Sequence, residues 1–308
     1  MSTIVVAGGS GFLGTPLVRA LRGDGHDVTV LTRRPRRDGD RAWSPASNDV
    51  SWFPIFDNAD AVINLAGSSI GGGRWTTARK RDILESRTRA TRALVRACAA
   101  TPRSSRVFVT NAAIGVYGIR GDEPVTEQTA PGSDFLSSVC REWESLTLQA
   151  APASRVVLLR TGLVLARDGG ALPQMALPFK LFAGGPLGSG RQYMSWIHLH
   201  DWIEMVKWAI ASPGVSGPLN ATAPGAVTNA EFARTLGRVL GRPAWVKTPA
   251  FALRLLMGEM ADALVLGGQR VVPEAARKQG FVFRYETLEP ALRQIYSTPN
   301  LQLPTPKR

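Results

Sequence analysis

The chain has two cysteines, Cys98 and Cys140, in 308 residues, which excludes a disulfide framework and any four-cysteine zinc site. Its three histidines leave a metal site little to work with, although His198 and His200 share one short stretch. No run of about 18 residues is both uncharged and continuously apolar, so nothing reads as a membrane span. The opening Met1-Ser2-Thr3-Ile4-Val5-Val6 has no basic region before its apolar run and reads as a strand, not a signal peptide. A reducing cytoplasm is the simplest compartment. Acids are outnumbered, 24 against 37 basic residues, and the net charge is +13. Only six of the basic residues are lysine. Such an excess suits nucleic acid or phosphorylated small molecules, and a biased genome also enriches arginine. It constrains partners, not fold. At 44% hydrophobic and 20% charged, the chain is not a mainly disordered one.

What is present is an alternation. Ile4–Ala7, Val28–Leu31, Ala61–Leu65, Arg106–Thr110 and Val156–Leu159 are apolar runs that read as strands buried on both faces. Leu13–Leu21, Thr77–Ala99 and Asp134–Leu148 have helical spacing. Strands alternating with helices predict an α/β, doubly wound parallel sheet over 1–165. Past residue 165 glycine and proline become frequent. Helices are expected after Asp201 to Ala211, from Thr228, and from Pro249 to about Leu266. Thr228-Asn229-Ala230-Glu231 has the form of a capping box. Residues 166–300 thus read as a smaller, mostly helical substrate-side domain, with elements free to cross between the two, and 301–308 as a tail.

Gly8-Gly9-Ser10-Gly11-Phe12-Leu13-Gly14 lies between the first strand and the first helix. Glycine at 8, 11 and 14 allows the tight turn, close approach of backbone to a pyrophosphate, and close packing of helix on strand. The helix N-terminus offers N–H groups and a positive dipole end to phosphate. About 20 residues on, where an NAD site places an acid, stands Arg33, followed by Arg34, Arg36 and Arg37. Guanidinium suits the 2′-phosphate of NADP, and Arg33 is the first candidate before Arg34. Leu65, Ala66 and Gly67 end the fourth strand with residues small enough for a cofactor to cross the sheet edge, or for close helix packing.

These features resemble the extended short-chain dehydrogenase/reductases. The match is nearer to one atypical branch, the YfcH-like "epimerase family" proteins, some called SulA-like, which carry a small C-terminal domain of unknown function. The resemblance rests on Gly8–Gly14, 60–67, Arg74-Trp75-Thr76, Ser86-Arg87, Val116-Tyr117-Gly118, 139–144, 188–192, Ser195-Trp196-Ile197-His198, Asp201 and 280–283. It spans residues 3 to about 295 and implies a Rossmann-like cofactor domain. Typical relatives use Tyr-x-x-x-Lys on one helical face, the lysine lowering the tyrosine pKa and holding the nicotinamide ribose. Here Tyr117, Tyr193, Tyr285 and Tyr296 are followed four residues on by Gly121, Ile197, Glu289 and Asn300, so the pair is absent. Alignment on Glu144 puts Leu136 at the tyrosine position and Cys140 at the lysine position.

Tyr117 and Cys140 are the remaining candidate proton donors, with water as the third. The bland alternative for Cys140 is a buried small hydrophobe. Arg160, directly after the Val156–Leu159 strand, is expected at the cofactor or substrate, with a structural ion pair as the alternative. Arg191, ending the glycine-rich 184–191, occupies the place of a substrate-diphosphate arginine, and Trp196 and Arg74 are expected beside the substrate. Arg89, Arg92 and Arg96 fall on one helix face that reads as solvated. The expectation is an NADP-binding oxidoreductase or epimerase-like protein acting on an anionic small molecule, with no metal, nucleic acid or membrane partner. Loss of the pair motivates the alternative, a non-catalytic NADP-binding sensor.

Overall fold

The computed structural model describes residues 1–297 apart from Arg36, Asp38 and Asn48, so the tail expected at 301–308 lies outside the described residues. The first half runs β1 (Thr3–Ala7), α1 (Gly14–Gly23), β2 (Asp27–Thr32), β3 (Asp40–Ala42), β4 (Ala61–Asn64), α2 (Thr77–Ala100), β5 (Val107–Thr110), β6 (Pro124–Val125), α3 (Phe135–Leu148) and β7 (Arg155–Thr161). After β8 (Leu163–Leu165) come α4 (Leu172–Lys180), β9 (Tyr193–Met194), β10 (Trp196–His198), α5 (Leu199–Ala211), β11 (Gly217–Ala221), β12 (Val227–Thr228), α6 (Asn229–Leu240) and α7 (Ala250–Met257).

Seven strands form one sheet in the order β11-β7-β5-β4-β1-β2-β3, and every neighbouring pair is parallel. Strand order reverses between β1 and β4, which opens a crevice at their carboxyl ends. Alternate residues of β1 face opposite ways, as a pleated strand requires. Ile4 and Val6 join Leu17 and Leu21 of α1 and Trp202 and Met205 of α5 on one face. Val5 and Ala7 join Leu94 and Ala97 of α2 with Trp52 and Phe56 on the other. Both faces are therefore covered, which is why the strands read as unbroken apolar runs.

A separate core gathers Leu172, Ala176 and Phe179 of α4, Phe232 and Leu236 of α6, and Leu288, Leu292 and Ile295 further on. The two halves interleave. The seventh strand, β11, and the helix before it come from beyond residue 165 and complete the first layer. The capping box forms as the sequence indicates: Thr228 Oγ1 accepts from the Glu231 N–H, and Glu231 Oε2 accepts from the Thr228 N–H at 2.8 Å. The helix expected to run to Leu266 is interrupted: it ends at Met257, and helical turns resume over Glu259–Ala261 and Asp262–Leu266. Gly258, at φ 63°, turns the chain out of the helix. Among the described residues, no helix is long and apolar enough to cross a membrane.

Candidate functional site

The glycine loop fills the switch point of the sheet. Gly8 has φ 79°, and a Cβ there would fall 2.8 Å from the Leu65 carbonyl carbon. A Cβ on Gly14 would fall 2.4 Å from the Gly8 carbonyl oxygen. Only glycine lets this loop fold onto itself and onto the end of β4. The Gly11 N–H donates to the Gly8 carbonyl at 3.0 Å and closes the turn. No side chain caps α1 and no acid lies in its first turn, so the positive end of its dipole faces the crevice without a counter-charge. Ser10, Gly11 and Phe12 are exposed there.

A cavity of about 590 Å³ opens beside the loop, lined among others by Gly9, Ser10, Thr32, Arg33, Arg34 and Arg37. Arg33 and Arg34 are exposed, and neither enters any ion pair among the described residues. The result is a positively charged end at the tip of β2. The segment after β4 is held at the other wall: the Leu65 N–H donates to the Ala7 carbonyl at 2.9 Å, and the Ala66 N–H to Asn64 Oδ1 at 3.1 Å. Phe12, at the tip of the glycine loop, lies against Gly169 and Gly170, where any Cβ would come within 2.8 Å of its ring. That contact was not foreseen; the adjacent glycines were its one trace in the sequence.

The expected proton donors are corrected by their surroundings. Tyr117 is wholly buried; its hydroxyl donates to Asn220 Oδ1 at 2.7 Å and accepts from Arg160 Nη1 at 2.9 Å. Burial raises its pKa to about 12. Cys140 is 4% exposed, and burial, reinforced by the Glu144 charge, pushes its thiol up to about 12. Neither side chain is exposed, and neither lines the cavity beside the glycine loop. Arg160 is likewise committed inside the protein. It meets both Glu144 oxygens, through Nε at 2.9 Å and Nη2 at 2.8 Å, and Nη1 also donates to the Glu127 carbonyl. Burial lowers its pKa, and the Glu144 pairing outweighs that, so the net shift is upward. The structural ion pair is thus the alternative the molecule adopts.

Trp196 is also corrected. Its side chain is fully buried in the second core and its Nε1 donates to the Gly225 carbonyl at 2.8 Å, so it does not face a substrate. The Asp201 carboxylate accepts the Arg284 and Tyr285 N–H groups at 3.1 and 2.9 Å, tying α5 to a later segment instead of capping its own helix. Arg191 and Arg74 remain exposed. Arg191 follows Gly188 and Gly190, both at positive φ, on a turn pressed against Leu266 and Ala230. Arg74 sits near Gly258, ahead of Trp75, whose ring meets Phe135 edge-on at 5.2 Å.

A parallel sheet with a glycine loop at its switch point defines a Rossmann-like dinucleotide-binding protein. The chain belongs to the NAD dependent epimerase/dehydratase family, whose model matches residues 4–220. Residues 248–295 match a domain of unknown function, DUF1731. The chain is 40% identical over 301 residues to the epimerase family protein SDR39U1 homolog, chloroplastic, of Arabidopsis thaliana, covering 95% of this chain and 86% of that protein. The crystal structure of human epimerase family protein SDR39U1 (isoform 2) with NADPH superposes with a TM-score of 0.89 at 33% identity, over 96% of this chain and 100% of that one. A nucleoside-diphosphate sugar epimerase from Corynebacterium glutamicum superposes at 0.78 with 32% identity, over 96% of this chain and 58% of that one.

Proposed function

We propose that this protein binds NADP(H) and acts as an epimerase-like oxidoreductase of the extended short-chain type on an anionic, phosphorylated or nucleotide-linked small molecule. One observation carries the cofactor reading: Arg33 and Arg34, in no ion pair among the described residues, stand at the end of β2 where an NAD site would hold an acid. The human relative's structure with NADPH supports it. The close approach that Gly8, Gly11 and Gly14 allow and the positive end of the α1 dipole hold the diphosphate. Arg33, backed by Arg34, pairs the 2′-phosphate. Ser10, Phe12 and Leu13 line the approach, and Leu65, Ala66 and Gly67 form the opposite wall. When bound, the nicotinamide donates or accepts a hydride. The matching proton comes from water, because Tyr117 and Cys140 are closed off. Arg191 and Arg74 take the substrate anion.

The closure of both side-chain donors favours one second reading, a non-catalytic NADP(H)-binding sensor. Titration of cofactor-stripped protein with NADPH and NADH, with Arg33→Ala alongside, tests the cofactor. Tight NADPH binding, weak NADH binding, and a roughly 10- to 100-fold loss for NADPH in the variant are expected, as for one charge-assisted contact. Failure to bind either nucleotide sinks both readings. Oxidation or reduction of bound cofactor by a panel of nucleotide-linked and phosphorylated sugars then separates enzyme from sensor.

A further inference from the structure

Ser86 and Arg87 have no place in the cofactor reading so far. Both lie on α2 and grip the segment that follows β4. Ser86 Oγ accepts from the Ser68 N–H at 3.0 Å. Arg87 Nη1 donates to the Ser68 and Ile83 carbonyls, each at 3.0 Å. The Arg87 side chain also packs so closely on Gly67 that a Cβ there would fall 3.1 Å from its Cγ and 3.2 Å from its Cζ. Gly67 and Ser68 continue directly from Leu65 and Ala66, whose backbone meets Gly8. The guanidinium therefore lies along the wall of the crevice.

Its other neighbour is α3. The Arg87 Cζ sits 5.2 Å from the centroid of the Trp143 ring. Cys140 lies within its electrostatic reach, and burial lowers the Arg87 pKa while raising that of the thiol. Cys140 is the position where relatives with Tyr-x-x-x-Lys would carry lysine. A cation is thus present beside that position, delivered from a different helix.

No carboxylate pairs with Arg87 among the described residues. A half-buried guanidinium without a counter-charge is costly unless other groups take its N–H donors. It carries five of them. Nη1 is used on two carbonyls. Nε and Nη2 have no partner among the described residues and are not fully buried, so they remain available to a ligand.

We propose that Arg87 binds the nicotinamide-ribose half of the cofactor, supplying from α2 the positive charge that a lysine at position 140 would supply from α3. The inference rests on the cofactor reading above. Its chemistry differs from a lysine's in one respect: arginine stays protonated at any working pH. It holds the nicotinamide-ribose hydroxyls with a fixed fork and takes no part in passing protons. This agrees with the neutral thiol beside it.

The test uses two ligands on the full chain. NADPH presents both halves of the cofactor. Adenosine 2′,5′-bisphosphate presents only the half that Arg33 and the glycine loop hold. Calorimetric titration of Arg87→Gln should show NADPH weakened by about tenfold or more, with the bisphosphate bound within about twofold of wild type. Arg87→Lys keeps the charge without the fork and should lose NADPH affinity by several-fold, less than Arg87→Gln does. Arg33→Ala should weaken both ligands alike. If Arg87 only braces the Ser68 segment, Arg87→Gln lowers both affinities together, and that result overturns the proposal. So does an unchanged NADPH affinity. Should Arg87→Gln fail to fold, Arg87→Lys decides: its ammonium lacks the fork, so a several-fold loss confined to NADPH supports the proposal and equal losses for both ligands refute it. Wild type that binds neither ligand removes the cofactor reading and this inference with it. Wild type that binds both, with no selective loss in the variants, removes this inference alone.

Discussion

The His198 ring accepts a hydrogen bond at Nδ1 from the His200 N–H at 3.0 Å, so its proton sits on Nε2, 2.8 Å from Gln294 Oε1. Burial pulls its pKa from 6.5 to about 4. Above about pH 6.5 the ring is neutral folded or unfolded, and its contribution to stability is fully present. As pH falls toward 4 the unfolded chain takes a proton that the fold refuses, and stability is lost. The loss is on the order of 2 to 3 kcal/mol. His198→Phe keeps an aromatic ring on Tyr285, 4.1 Å away in the wild type, but cannot titrate. Denaturant unfolding should show the wild type losing about 2 kcal/mol relative to the variant between about pH 7 and about pH 4.5. A pH-independent difference would refute the argument. The same physics explains why Tyr117, Cys140 and Trp196 read as functional in the sequence and turned out structural. Motif spacing shows that a hydroxyl, a thiol or an indole stands at a given place in the chain. It carries no information about Arg160, Asn220 or Gly225, which come from distant segments to claim or enclose them.

At the scale of elements the glycine loop was the most legible feature, because its requirements are local. Gly14→Ala would put a Cβ 2.6 Å from Gly9 Cα as well as against the Gly8 oxygen, forcing the loop off α1. An NADPH affinity at least about tenfold weaker is expected, with about 1 to 3 kcal/mol lost in thermal unfolding. Gly23→Ala, at the other end of the same helix, meets nothing within 4 Å and should leave binding unchanged. Equal behaviour of the two variants would show that the loop's close packing is dispensable. Strand positions came through nearly as well, since residues covered on both faces must all be apolar. The third late helix reads as unbroken, and the structure interrupts it before helical turns resume to Leu266. Apolar spacing continues past Met257, but Gly258 adopts a conformation that no helix shares.

The whole molecule is less divisible than its sequence. The 1–165 reading matches the change in composition, yet β11 pairs with β7 along Gly217–Ala221, and α5 buries Trp202, Met205 and Val206 against the same sheet face. A chain ending at residue 165 would expose β7 as an edge and uncover that face. It is expected to aggregate or to lack the near-ultraviolet dichroism of packed tryptophans, whereas the full chain unfolds in one transition. A monomeric, cooperatively folded 1–165 fragment would contradict this.

By itself the sequence determined the layered α/β architecture, the place of the glycine loop and the basic tip of β2. Each follows from periodicity, glycine geometry or charge within a few neighbouring residues. Only the tertiary structure decided which polar side chains meet a ligand and which are sealed against one another. Burial and pairing depend on residues as far apart as Tyr117 and Asn220, or Arg87 and Trp143, and no local pattern brings those together.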